Sequence, residues 1–202
     1  MFVASAPWNV NLHYDGLLDS LVPTSASRAL DVGCGDGFLA ARLGARVPHV
    51  TAMDIDPPVL ARAQRRFPDV EVNWVHDDVL TAQITSGTFD AIVSNATLHH
   101  LPDVPTALCR LRDLLEPGGT LAVVTFVKPE PREIPWQALS WVSCTVANRV
   151  RHKWEHSAPI AWPPPFTLSE LRAHARAALP GARVRRLLYG RVLLTWHAPT
   201  EA

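Results

Sequence analysis

A chain of 202 residues, 48% of them hydrophobic, is long enough for one domain with a sizeable core. Its 19 basic residues balance 19 acidic ones, which speaks against a nucleic-acid partner, since such domains are basic overall. No run of 18 apolar residues occurs and no cationic start precedes an apolar stretch, so the reading is a cytoplasmic protein with neither signal peptide nor membrane partner.

Residues 1–10 read as a loose lead-in. From Asn11, the spacing of Leu12, Leu17, Leu18 and Leu21 predicts a helix with one apolar face, ended by Pro23. His13 and Tyr14 near its start either pack it on the sheet edge or reach a site. Arg28–Val32 is strand-like and runs into Gly33, Gly35 and Gly37, after which FLAARLGA continues as a helix. Strand, glycine turn, helix is how a parallel sheet brings backbone close to a nucleotide-like ligand. A Cβ there obstructs both the turn and the approach. The next strand, His49–Asp54, ends in an acid 21 residues after Gly33. At about that separation, dinucleotide folds place a carboxylate on ribose hydroxyls. Phe38 stands where a dinucleotide fingerprint wants glycine, which argues against a nicotinamide oxidoreductase.

Pro57 and Pro58 suit the first turn of a helix carrying Leu60, Ala61, Ala63, Gln64 and Phe67. VEVNWVHD reads as the third strand, ending at Asp77 and Asp78. The turn-rich ITSGTFD leads to a fourth, AIVSN, and then to His99 and His100. Pro105 and Thr106 start a helix through Leu108, Leu111, Leu114 and Leu115, stopped by Pro117-Gly118-Gly119. TLAVVTFV is the fifth strand. This alternation argues an α/β, doubly wound, parallel sheet.

Residues 128–166 then break the pattern. They hold seven of 18 prolines and four of seven tryptophans: Trp136, Trp141, Trp154 and Trp162. Ile134 to Arg151 fits an amphipathic helix, whereas Pro159 to Phe166 does not. Set at the carboxyl end of the fifth strand, where open α/β sheets bind ligands, the insertion reads as a lid that walls a substrate pocket or as a satellite core. LSELRAHARAAL is helical. The two strand-like runs around Tyr189-Gly190 are joined too closely for anything but an antiparallel hairpin. Residues 149–202 hold nine Lys and Arg against three Asp and Glu, so Arg183, Arg185 and Arg186 either steer an anion or decorate a solvated strand face. Cys34, Cys109 and Cys144 are dispersed, without CxxC or metal-ligand spacing, and read as buried thiols with no metal.

DVGCGDG, AMDID, HDDVL, FDAIVSNATLHHLPD and LLEPGGTL, in this order and spacing, resemble class I S-adenosylmethionine-dependent methyltransferases of the bacterial small-molecule branch. The resemblance covers roughly residues 28–127. It implies a single domain with a Rossmann-like methyltransferase fold: a mostly parallel seven-stranded sheet with an antiparallel C-terminal strand. The divisions would be an N-terminal helical segment (1–27), a cofactor-binding core (28–127), a substrate lid (128–166) and a C-terminal helix with β-hairpin (167–202). S-adenosylmethionine would be the cofactor and a small, partly apolar molecule the acceptor, with no oligomeric state specified. By the same resemblance Asp31 would reach the methionyl amine while Gly33, Cys34 and Gly35 supply backbone. Asp54 would take the ribose hydroxyls, Ile55 would pack on adenine, Asp78 would accept from its exocyclic amine with Val79 alongside, and Asn95 would border the methionine end. Asp77 departs from the glycine usual before Asp78. His99 and His100 are candidate general bases or a structural corner. Tyr14 is a further catalytic candidate, and Trp136, Trp141 and Trp154 are candidate substrate contacts. The competing reading is a protein that binds the cofactor without transferring methyl groups.

Overall fold

The computed structural model describes residues 8–151 and 163–200. Helix α1 (Val10–Leu21) starts where the Asn9 side chain accepts from the Leu12 amide at 2.8 Å, satisfying one of the donors a helix start leaves open. Strand β1 (Arg28–Val32) leads through the glycine turn to α2 (Phe38–Gly44) and β2 (His49–Asp54). Asp56 caps α3 (Pro57–Arg66), and its two prolines occupy the turn that needs no amide donor. Strand β3 (Val72–His76) and β4 (Phe89–Asn95) follow, then a 3-10 turn (Leu98–His100) and α4 (Val104–Leu114), capped by Asp103. Strand β5 (Leu115–Phe126), a second 3-10 turn (Pro131–Glu133), α5 (Ile134–Val150), α6 (Leu168–Ala178), β6 (Arg183–Arg186) and β7 (Arg191–His197) complete the described elements. Thr167 and Glu170 close a reciprocal capping box at the start of α6.

The seven strands lie in the order β3-β2-β1-β4-β5-β7-β6. The first five are parallel; β7 runs antiparallel to both β5 and β6. The expected mixed sheet with its terminal antiparallel strand is therefore present. Strand order reverses beside β1 and β4, which makes the carboxyl ends of these strands the crevice of the fold.

Alternate strand residues feed two cores, as a two-residue period requires. Leu30, Ile92, Leu121, Val123 and Leu194 pack with Leu108 and Leu111 of α4 and Leu171 of α6. On the other face Ala29, Ala52, Ala91 and Ala122 meet Leu18 of α1, Leu39 and Leu43 of α2 and Leu60 of α3. That run of alanines brings the first three helices close to the sheet. Asp31 shares the parity of Ala29 and so points into the α1–α3 layer. Among the described residues no helix is long and apolar enough to cross a membrane.

Three details differ from the sequence reading. Helix α4 ends at Leu114, and Leu115 already pairs with Phe89, so Pro117-Gly118-Gly119 forms an irregularity inside an extended β5 rather than a helix stop. Strand β3 starts at Val72 instead of Val70. Arg186 pairs with the buried carboxylate of Glu133, tying β6 to the turn before α5, whereas Arg183 and Arg185 are exposed.

Candidate active site

The carboxyl ends of β1 to β4 open into a cleft of about 600 Å³, roofed by Asn9, Asn11, Leu12 and Asp15 at the start of α1. This lies within the usual range for small-molecule sites. Asp31, Gly33, Cys34, Gly35, Asp54, Ile55, Asp78, Val79 and Asn95 all line it, although they come from four different strand ends.

Backbone packing explains the glycine turn. Gly33 donates to the Met53 carbonyl at 2.8 Å, and a Cβ on it would lie 2.1 Å from Thr97 Oγ1. Gly35 also has positive φ, but a Cβ there meets nothing within 4 Å, so this face of the turn is free for a ligand. Asp54 Oδ2 accepts from the Gly35 amide at 2.8 Å, and Oδ1 accepts from Asp56 N at 3.0 Å. Each carboxylate oxygen keeps a second lone pair for a ligand hydroxyl. Ile55 is 69% exposed on the cleft wall, an apolar surface with no protein cover. Asp78 Oδ1 accepts from Leu80 N, and Asp77 Oδ1 accepts from Asp78 N, so the residue in place of the usual glycine ties down its own turn. Ala96, on the cleft wall, holds a φ of 60°, a strained conformation for a residue with a Cβ.

Negative charge gathers at the α1 end. Asp31 is buried, with Oδ2 lacking any hydrogen-bond partner. Burial, then the charges of Asp15 and Asp54, push its pKa well above the usual carboxylate range. Asn95 Nδ2 donates to Asp15 Oδ1 at 2.7 Å and to the Asn11 carbonyl at 2.9 Å, fixing the first turns of α1 over the cleft. Burial raises Asp15 to about 7, against the lowering effects of Asn95 and Arg42.

The catalytic candidates separate. His100 lines the cleft. His99 is buried behind it, its Nδ1 3.4 Å from Thr125 Oγ1 and its ring against Phe126; burial first, then the charges of His100 and Arg191, lower its pKa to about 3. Tyr14 turns away from the cleft: its buried hydroxyl donates to the Leu188 carbonyl at 2.7 Å, and burial raises it to about 12. Trp136 and Trp141 do not line the cleft, and Trp141 is 71% exposed; Trp154 lies outside the described residues. The sequence reading missed Asn11 and Asp15. The available signal was an acid interrupting the apolar stripe between Leu12 and Leu18.

A family model described as "Methyltransferase domain" matches residues 30–123. An uncharacterized methyltransferase of Mycobacterium tuberculosis is 63% identical over 193 residues, which span 96% of this chain and 98% of that protein. The 2-phytyl-1,4-naphtoquinone methyltransferase of Nostoc punctiforme is 34% identical over 112 residues, covering 52% of this chain and 49% of the other. Among solved structures, the N-methyltransferase NodS of Bradyrhizobium japonicum in complex with S-adenosyl-l-homocysteine shares the fold. Its TM-score is 0.63 at 20% identity, covering 93% of this chain and 86% of that one.

Proposed function

This chain belongs to the class I S-adenosylmethionine-dependent methyltransferases, and from that premise we propose that it methylates an O, N or C atom of a small, partly apolar molecule. The observation that carries the reading is the meeting of four strand ends and α1 around one cleft. The residues present fit the cofactor. A buried carboxylate oxygen without a partner, an open glycine face and an exposed isoleucine suit, in turn, an ammonium group, a close-lying ligand backbone and a flat apolar ring.

In this reading Asp31 and the backbone of Gly33, Cys34 and Gly35 hold the methionine end, and Asn95 braces α1 above it. Asp54 accepts from the ribose hydroxyls while keeping the Gly35 amide in place. Ile55 and Val79 flank the adenine, and Asp78 accepts from its amino group. When bound, the cofactor supplies a methyl group already made electrophilic by its sulfonium. The chain's own contribution is to align an acceptor and exclude water, so proximity carries much of the rate. Where the acceptor must lose a proton, His100 is the histidine on the cleft; burial keeps His99 out of that role. Acceptor recognition falls to residues 128–166, which follow the carboxyl end of β5. Similarity to a methyltransferase named for a phytyl naphthoquinone supports a partly apolar acceptor.

Calorimetric titration with S-adenosylhomocysteine, S-adenosylmethionine and NADH, followed by turnover on a panel of phenols, hydroquinones and amines, tests the proposal. Binding of the first two ligands with methylation of at least one acceptor is the expected result. Binding of NADH alone would sink it, and cofactor binding without turnover across the panel would favour the non-methylating reading.

A further inference from the structure

Two acids on different elements meet at one end of the cleft, and one of them keeps a buried oxygen that no protein group satisfies. Asp31 comes from the end of β1 and Asp15 from α1; both are at least nine-tenths buried and both line the cavity. Asp31 Oδ2 has no partner, and neither does the buried Oδ1 of Asn95, whose amide nitrogen holds Asp15. The basic group acting on Asp15 is Arg42, whose Nε is committed to Asp19 at 2.9 Å. A ligand without N–H donors would leave the buried Asp31 Oδ2 and Asn95 Oδ1 unpartnered. A ligand cation with several N–H donors would favour the ionised form of both acids and also supply the missing hydrogen bonds, and charge-assisted bonds are the stronger kind.

We propose that Asp15 and Asp31 together seat the α-ammonium group at the methionine end of the cofactor, with Asp15 as a second carboxylate arm carried on α1, the roof of the cleft, and oriented by Asn95. This rests on the cofactor placement proposed above. Through Asp15, the ammonium group joins β1 to α1, so the same contact that holds the ligand also holds the roof over it.

The seat is proton-linked. The groups facing Asp15 are Asn95 from β4, Asp31 from β1 and Arg42 from α2, with the Asp54 carboxylate of β2 acting on Asp31. In the ligand-free cleft the acids hold protons that an incoming ammonium displaces. Binding therefore releases protons and strengthens as pH rises toward and past about 7, where Asp15 titrates.

The test compares S-adenosylhomocysteine with 5′-methylthioadenosine. Both have a neutral sulfur, but the second lacks the amino-acid moiety. By calorimetry, Asp15→Asn should weaken S-adenosylhomocysteine about tenfold or more and leave methylthioadenosine within about twofold. In the unaltered protein, the affinity ratio of the two ligands should rise between pH 6 and pH 8, which needs no variant to fold. Equal losses for both ligands would make Asp15 a general brace of the cleft and overturn the seat. An unchanged affinity for S-adenosylhomocysteine, or a pH-independent ratio, would overturn it too. Methylthioadenosine binding with either failure leaves the cofactor reading standing; binding of neither ligand by the unaltered protein removes both.

Discussion

Two histidines adjacent in the chain meet opposite surroundings, because the 3-10 turn Leu98–His100 projects neighbours about 120° apart. His100 reaches the cleft, while His99 goes under it onto Phe126 and Thr125. Burial makes His99 a pH-dependent element of stability. Its folded pKa of about 3 lies below the unfolded value of 6.5, so the unfolded chain holds the extra proton between those limits. The stability it confers is complete above pH 6.5 and is lost as pH falls toward 3. Asp15 acts in the opposite direction: its raised pKa favours the folded state as pH falls through 7. The difference between parent and variant separates the two. Relative to the parent, His99→Gln should gain stability below pH 6.5 by up to about 1.4 kcal/mol per pH unit, measured by denaturant unfolding at pH 5 to 8. A difference that does not change with pH would show that His99 is not held neutral.

At the scale of elements, what can be read from the sequence is what short-range register fixes. A strand, a glycine turn and a helix place Asp31, Gly33 and Gly35 within a few positions of each other, and the gathering of these residues at strand ends is legible without coordinates. The pairing of Asp15 with Asn95 spans 80 residues and leaves no local trace. The switch from α4 to β5 at Leu115 is hidden by a leucine that suits either element. Helix α5 shows a different limit. It forms where its spacing predicts, yet Leu139, Val142, Val146 and Val150 lie along its exposed side while Ser140 is buried. Apolar periodicity identifies a helix face but not which way it points. If acceptor recognition resides on α5, Trp141→Ala should leave S-adenosylhomocysteine affinity unaltered. Because Trp141 is exposed, stability should also stay within about 0.5 kcal/mol. Methyl transfer should fall instead. Turnover and melting temperature measured on the same preparation decide it, and normal turnover per folded molecule would end the lid proposal.

Across the whole molecule, the roof of the cleft depends on the far end of the chain. Tyr14 donates to Leu188, and Arg191 Nη2 donates to Asn11 Oδ1 at 2.9 Å across 180 residues, so the C-terminal hairpin positions α1. Arg191 is a costly way to do this. Its guanidinium is buried, 3.4 Å from the Phe126 ring centroid; among the described residues it has no carboxylate partner, and its Nε bonds to nothing. Burial lowers its pKa to about 9, which reports a net penalty for holding the charge there. Two bonds to neutral oxygens, on Tyr189 and Asn11, offset part of that penalty at roughly 1.5–3 kcal/mol each. Desolvating an ion costs several kcal/mol, and well-packed apolar replacements of buried charges are often neutral or stabilising. Arg191→Met keeps an unbranched apolar side chain in the buried site and removes the charge held over Phe126. The melting temperature should therefore hold or rise, while S-adenosylhomocysteine affinity should fall several-fold, because Asn11 and the first turn of α1 lose their tether. Stability and binding would then move in opposite directions, which neither a simple core residue nor a simple ligand contact produces. A fall of several degrees in the same variant would mean that Arg191 is a net stabilising anchor, and its burial would need no role in shaping the cleft.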